Sequence, residues 1–215
     1  MKPDRNSFSL YAITDRTWLK DKSLAKAVEE AIRGGATFVQ LREKNIGHDE
    51  FVRLALQVKS VTDRYNVPFV INDNIDVALE TDSDGVHIGQ NDGTVLAARE
   101  RLGHGKIIGV SAKTVKAAVK AQLEGADYIG AGSVFSTSTK LDAENITIGI
   151  LKEIADSVSI PVVAIGGISK DNVLKLKGSG IDGICAISAI FGKGDISSAA
   201  GELLELSKMV TGGKL

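Results

Sequence analysis

Three cations and two carboxylates define the chemistry open to this chain. Arg42 and Lys44 alternate with Gln40 in FVQLREK, and Lys140 ends STSTK. Asp73 follows Asn72 in INDNIDVA, and Asp92 ends GVHIGQND. Two carboxylates suit a hard cation such as Mg²⁺, which takes one or two protein carboxylates and fills its shell with phosphate oxygens and water. Cations and carboxylates gathered together call for a polyanion and a metal between them, and a diphosphate with Mg²⁺ satisfies both. A second anion site is written near the end of the chain. Gly166 and Gly167 follow the apolar run Pro161 to Ile165, and Ser188 and Ala189 follow Ile184 to Ile187. Small residues there let backbone N–H groups approach a phosphate oxygen. The chain carries no HxxxH motif, and no Ser-His-Asp or Cys-His set stands out. Such a site needs a stabilised leaving group more than an activated side-chain nucleophile.

Each residue taken singly has a plainer account. Arg42 and Lys44 pair as surface ions with Glu43 or another carboxylate. Asp73 and Asp92 each cap a following helix. Gly166 and Gly167 make a tight turn, Ser111 ends a strand, and Thr137 and Thr139 are loop hydroxyls. His87 sits mid-strand between Val86 and Ile88, the place of a satisfied core histidine. Convergence separates the two accounts, because chance would scatter these groups over both ends of the strands.

The elements that must position them alternate. Strand patterns run over Phe8 to Thr14, Phe38 to Arg42, Pro68 to Asp73, Gly85 to Gln90, Lys106 to Ser111, Ala126 to Gly132, Pro161 to Ile165 and Ile184 to Ile187. Helical spacing appears between them. Ser23 caps a helix with Leu24, Val28, Ala31 and Ile32 on one face. Thr114 caps one with Val115, Ala118, Val119 and Leu123. A short helix carries Val173, Leu174 and Leu176, and the last one starts near Asp195. Strand-helix alternation without a GxGxxG after the first strand argues for an α/β protein, a (β/α)8 TIM barrel, rather than an open doubly wound sheet. No linker or composition shift divides the chain, so residues 1–215 read as one barrel domain. In such a barrel the strand carboxyl ends build the active site, and the loops after strands seven and eight often hold phosphate. The candidate residues all fall at that end.

Composition narrows the partners. Hydrophobic residues make up 43% and aromatic residues 5%, so aliphatic side chains fill the core, as buried parallel strands require. Lys plus Arg is 26 and Asp plus Glu is 27, a net charge of −1. No global positive field draws nucleic acid or an anionic membrane. The amino terminus lacks a signal-peptide apolar region, and no run spans a bilayer. Cys185, the single cysteine, lies in an apolar run and suits a reducing, cytoplasmic setting.

QLREK, INDNIDVA, GVHIGQND, GVSAKT, STSTK and AIGGI, in this order from about Tyr11 onward, resemble the thiamine-phosphate synthase (thiamine-phosphate pyrophosphorylase) family. The resemblance implies a (β/α)8 barrel transferase with two phosphorylated small-molecule substrates. It would join 4-amino-2-methyl-5-hydroxymethylpyrimidine diphosphate to 4-methyl-5-(2-hydroxyethyl)thiazole phosphate, or its carboxylated form, releasing diphosphate. It implies that Gln40, Leu41, Arg42, Glu43, Lys44, Asn72, Ser111 and Lys140 hold the pyrimidine diphosphate. Thr137, Ser138, Thr139, Gly167, Ile187 and Ser188 would hold the thiazole phosphate, and Asp73 and Asp92 one Mg²⁺ per subunit. Arg42, Lys44, Ser111 and Lys140 would serve catalysis, with diphosphate leaving before the thiazole nitrogen attacks. Ser136 departs from the pattern, since the family commonly has proline before TxTK. A thiazole tautomerase shares the barrel and the monophosphate end but needs no metal-diphosphate site. A phosphosugar epimerase needs a placed base, and no His or Glu at a strand end stands out. A non-catalytic phosphate-ligand sensor remains the third alternative.

Overall fold

The computed structural model describes residues 3–19, 21–89, 93–136 and 145–212. Eight parallel strands close into a barrel in sequence order: β1 Leu10–Ile13, β2 Phe38–Leu41, β3 Phe69–Asn72, β4 Gly85–Ile88, β5 Ile107–Ala112, β6 Tyr128–Gly132, β7 Val162–Ile165 and β8 Gly183–Ala186. β1 pairs with both β2 and β8, which closes the ring. Around it lie α1 Leu24–Arg33, α2 His48–Tyr65, α3 Ile75–Glu80, α4 Val95–Leu102, α5 Val115–Leu123, α6 Ile148–Ser157, α7 Ser188–Phe191 and α8 Ile196–Thr211.

Strand periodicity of two divides the apolar residues into two separate cores. Alternate strand residues such as Leu10, Val39, Ile71, Val86, Ile108, Ile129, Ala164 and Ile184 point outward. They pack with helix residues such as Val28, Val58, Ala98, Ala118, Ile154 and Leu203. The inward set is Phe8, Tyr11, Ile13, Phe38, Val70, Ile107, Tyr128, Val163 and Cys185. Local capping fixes where the helices start. Ser23, Asn74, Thr94, Thr114, Thr147 and Asp195 each accept a hydrogen bond from a first-turn N–H.

Two helix faces differ from the sequence reading. Leu123 is 80% exposed, because Ala118 and Ala121 supply the buried side of α5. Between β7 and β8 the chain forms only a 3₁₀ turn, Val173–Leu176. Its three-residue period buries Val173 and Leu176 together and leaves Leu174 47% exposed.

Candidate active site

The carboxyl ends of the strands carry the polar residues. β2 buries Gln40, 1% exposed, on its inward side. It stops at Leu41, so the strand alternation does not reach Lys44. Leu41 faces outward and its side chain packs in the outer core. Arg42 leaves the strand with its N–H donating to the Thr14 hydroxyl at 3.1 Å. Lys44 is exposed, and Asn45 at φ 58 turns the chain towards α2. Among the described residues neither Arg42 nor Lys44 has a carboxylate partner. Glu43 pairs instead with Arg16, whose Nε donates to Oε2 at 2.9 Å. The other carboxylate oxygen of Glu43 is buried with no partner among the described residues. Burial pushes the Glu43 carboxyl above its ordinary range against the pull of Arg16.

On the next strand Asn72 is the last residue of β3 and Asp73 follows at φ 60, left-handed backbone that costs a non-glycine residue strain. Asp73 does not cap α3, because Asn74 does. Its N–H donates to the His87 carbonyl at 2.8 Å, and its carboxylate accepts from the Asn72 amide and, at 3.4 Å, from Gly89 N–H. The exposed carboxylate therefore reaches the end of β4, where the segment towards Asp92 begins. Asp92 lies outside the described residues, yet the cap of α4 is already supplied by Thr94.

A chain of hydrogen bonds crosses the barrel interior below this rim. Gln40 Nε2 donates to the Tyr11 hydroxyl. The Tyr11 and Tyr128 hydroxyls are 2.7 Å apart. Tyr128 lies 2.9 Å from His87 Nδ1, and His87 Nε2 lies 3.0 Å from the Ser111 hydroxyl. Burial raises both phenols well above the ordinary tyrosine range, so they remain neutral donors. Burial likewise raises the Cys185 thiol, which makes it an inert core group.

The β7 and β8 ends carry the small residues. Gly166 and Gly167 have φ of 102 and 62, and a Cβ on either would collide with the segment after β6. At Gly166 it would lie 1.9 Å from the Ser133 hydroxyl, and at Gly167 2.4 Å from the Ser136 carbonyl. Val134 and Phe135 N–H groups donate to the carbonyls of Ile165 and Gly166 at 2.9 and 3.0 Å. Ile187 is half-buried after β8, and Ser188 opens α7. Thr137, Ser138, Thr139 and Lys140 lie outside the described residues. Ile146 N–H donates to the Ser133 carbonyl at 2.8 Å, so the two ends of that loop meet.

Gln40, Arg42, Lys44, Asn72, Asp73, Ser111, Gly167, Ile187 and Ser188 thus all lie at or near the same end of the barrel. Leu41 and Glu43 sit beside them but direct their side chains elsewhere. Sequence reasoning missed Arg16 and the Tyr11–Tyr128 pair. The available signal was two of the chain's three tyrosines at inward strand positions in a protein otherwise poor in aromatics.

The comparisons with known proteins agree with this architecture. The family model described as thiamine monophosphate synthase matches residues 10–190. A thiamine-phosphate synthase of Clostridium tetani is 52% identical over 195 residues, covering 91% of this chain and 93% of that protein. One from Caldanaerobacter subterraneus is 52% identical over 201 residues, covering 93% and 94%. A solved thiamine phosphate pyrophosphorylase from Pyrococcus furiosus superposes with a TM-score of 0.88 at 42% identity, covering 96% of this chain and 98% of its own. The barrel, its polar carboxyl rim and these relatives together place the chain in the thiamine monophosphate synthase family.

Proposed function

We propose that this chain joins 4-amino-2-methyl-5-hydroxymethylpyrimidine diphosphate to 4-methyl-5-(2-hydroxyethyl)thiazole phosphate, or its carboxylated form, as a thiamine-phosphate synthase. The observation that carries the reading is a rim where Arg42 and Lys44, after β2, have no carboxylate partner among the described residues, while Asp73 follows the neighbouring strand β3 with its carboxylate exposed. Unpaired cations suit a polyanionic ligand. The donor chemistry fits Mg²⁺: Asp73 offers an exposed carboxylate on left-handed backbone, the hard oxygen ligand that this ion takes alongside phosphate and water. Asp73 and Asp92 would hold the ion, which supplies charge stabilisation for the leaving diphosphate.

The residues of the chain then divide the work. Arg42, Lys44 and Lys140 neutralise charge that builds on the departing diphosphate. Gln40, Asn72 and Ser111 hold the pyrimidine, with the backbone at Leu41 and Glu43 alongside. Electron release from the aminopyrimidine stabilises the cation left behind. Its acceptor is the thiazole nitrogen, a neutral nucleophile with no proton to lose, so no general base is required. Thr137, Ser138, Thr139, Gly167, Ile187 and Ser188 hold the thiazole phosphate. The reading treats residues 1–215 as one barrel domain acting on small molecules without nucleic acid. Its setting would be the cytoplasm, in keeping with a single buried thiol. No helix among the described residues is long and apolar enough to cross a membrane.

The test is diphosphate release from both substrates with Mg²⁺ present. Thiazole isomerisation without Mg²⁺, and no joined product with it, would favour the tautomerase. Lys140→Ala should lower turnover on the order of a hundredfold, about 3 kcal/mol, while thiazole phosphate binding changes far less. Equal losses in both would remove Lys140 from the diphosphate.

A further inference from the structure

The hydrogen-bonded chain inside the barrel has a direction. Gln40 donates its amide N–H to Tyr11, so the Tyr11 oxygen accepts there. Each phenol has one hydrogen to give. Tyr11 gives its hydrogen to Tyr128, and Tyr128 gives its own to His87 Nδ1. His87 is then the neutral Nε2–H tautomer and donates to the Ser111 hydroxyl oxygen at 3.0 Å. The opposite direction would make Tyr11 accept twice and leave its buried hydrogen without an acceptor, which buried hydroxyls avoid.

The barrel is cut to house this chain. A Cβ at Gly109 of β5 would lie 2.0 Å from Cζ of Tyr128, and one at Gly130 of β6 would lie 3.0 Å from Cε1 of His87. Two strand glycines thus make the space for the two rings. The chain leaves β2 at Gln40, passes through β1, β6 and β4, and ends on β5 at Ser111. Its two ends are both residues assigned above to the pyrimidine.

We propose that Tyr11, Tyr128 and His87 are positioning residues that set the carboxamide orientation of Gln40 and the hydrogen-bond polarity of Ser111 as one unit. The inference rests on the proposed function for the identity of the ligand, but the tautomer and direction stand on the structure alone. The relay gives Gln40 Nε2 a fixed acceptor inside the barrel and leaves its Oε1, to which no described residue donates, to accept from a ligand. A donor-bearing heteroaromatic ring therefore meets an acceptor already oriented at one side. A serine whose oxygen is already engaged by imidazole meets it at the other.

The experiment has two arms. In protein labelled with ¹⁵N-histidine, at about pH 8 so that ordinary imidazoles are neutral, His87 should show the Nε2–H pattern. His48 and His104, the other two histidines, are exposed and serve as references. Tyr128→Phe keeps the ring and removes the hydroxyl, and should abolish the fixed tautomer. In turnover it should raise KM for the pyrimidine diphosphate, or lower kcat/KM for it, by about tenfold, with KM for the thiazole phosphate within about twofold. Tyr11→Phe should act in the same direction. An Nδ1–H or charged His87 in the unaltered protein overturns the direction of the relay. Equal changes for both substrates, or none, overturn its role, and the first arm decides the matter if Tyr128→Phe does not fold. Absence of turnover in the unaltered protein would instead strike the proposed function and leave the tautomer result standing.

Discussion

The two ends of the barrel interior obey different rules. At the amino end Phe8, Phe38, Tyr11 and Tyr128 are fully buried, with ring centroids 4.6–5.8 Å apart. These contacts are tilted, stacked or edge-on, the geometries that aromatic quadrupoles favour. At the carboxyl end Lys44 and Asp73 are exposed, Asn45 and Asp73 adopt left-handed backbone, and Arg42 and Lys44 go without a carboxylate partner among the described residues. The floor maximises burial, while the rim keeps charge and strain that burial would have removed. Stability is therefore expected to reside in the packing of the floor and ligand contact in the rim, with the Tyr11 and Tyr128 hydroxyls linking the two.

Substitutions can break that division. Phe38→Ala should cost about 3–5 kcal/mol of stability, read from the denaturation midpoint, because the aromatic floor cannot collapse around the hole. A loss below about 1 kcal/mol would show that the floor is not where stability lies. Asp73→Asn should do the reverse. It should lower kcat/KM by about 3 kcal/mol, on the order of a hundredfold, with the melting temperature unchanged or raised. A large stability loss there would join the two regions.

Glu43 is a rim residue with a buried carboxylate and sharpens the comparison. Its folded pKa is raised above the unfolded value, so the folded state holds its proton more tightly. The stabilisation from this group is complete below the unfolded pKa and falls as pH rises through the folded one. As pH rises from about 4, the ordinary carboxyl range, the stability of the unaltered protein relative to Glu43→Gln should therefore decline. A rising difference would mean that Arg16 outweighs burial. The smallest effect is expected outside the barrel: Leu123→Gln should stay within about 0.5 kcal/mol, since Leu123 is 80% exposed.

Much of this was legible in the sequence because it follows from local rules. Periods of two and three to four residues gave the strands and helices, and short polar side chains ahead of apolar runs gave the caps at Ser23 and Thr114. Placing polar residues at strand ends brought Gln40, Asn72, Asp73, Ser111 and Ser188 to one rim. Competition between candidate faces was less legible. Leu123 lost to Ala121, which with Ala118 forms the buried side of α5. Contacts across the lumen were not legible at all. Alternation shows that Tyr11, His87 and Tyr128 point inward, but residues 117 apart in sequence meet only because the ring closes. The Arg16–Glu43 bridge has a different origin, since it joins the ends of β1 and β2, which pair directly.

The turn at Gly166 and Gly167 has a consequence for engineering. Its lack of side chains is demanded by the Ser133 to Ser136 segment pressed against it as much as by any ligand. Replacing either glycine would dislodge the root of the neighbouring loop, and redesigning that root would deform the turn. Libraries aimed at a new acceptor should therefore randomise both segments together, because varying one alone will mostly sample misfits.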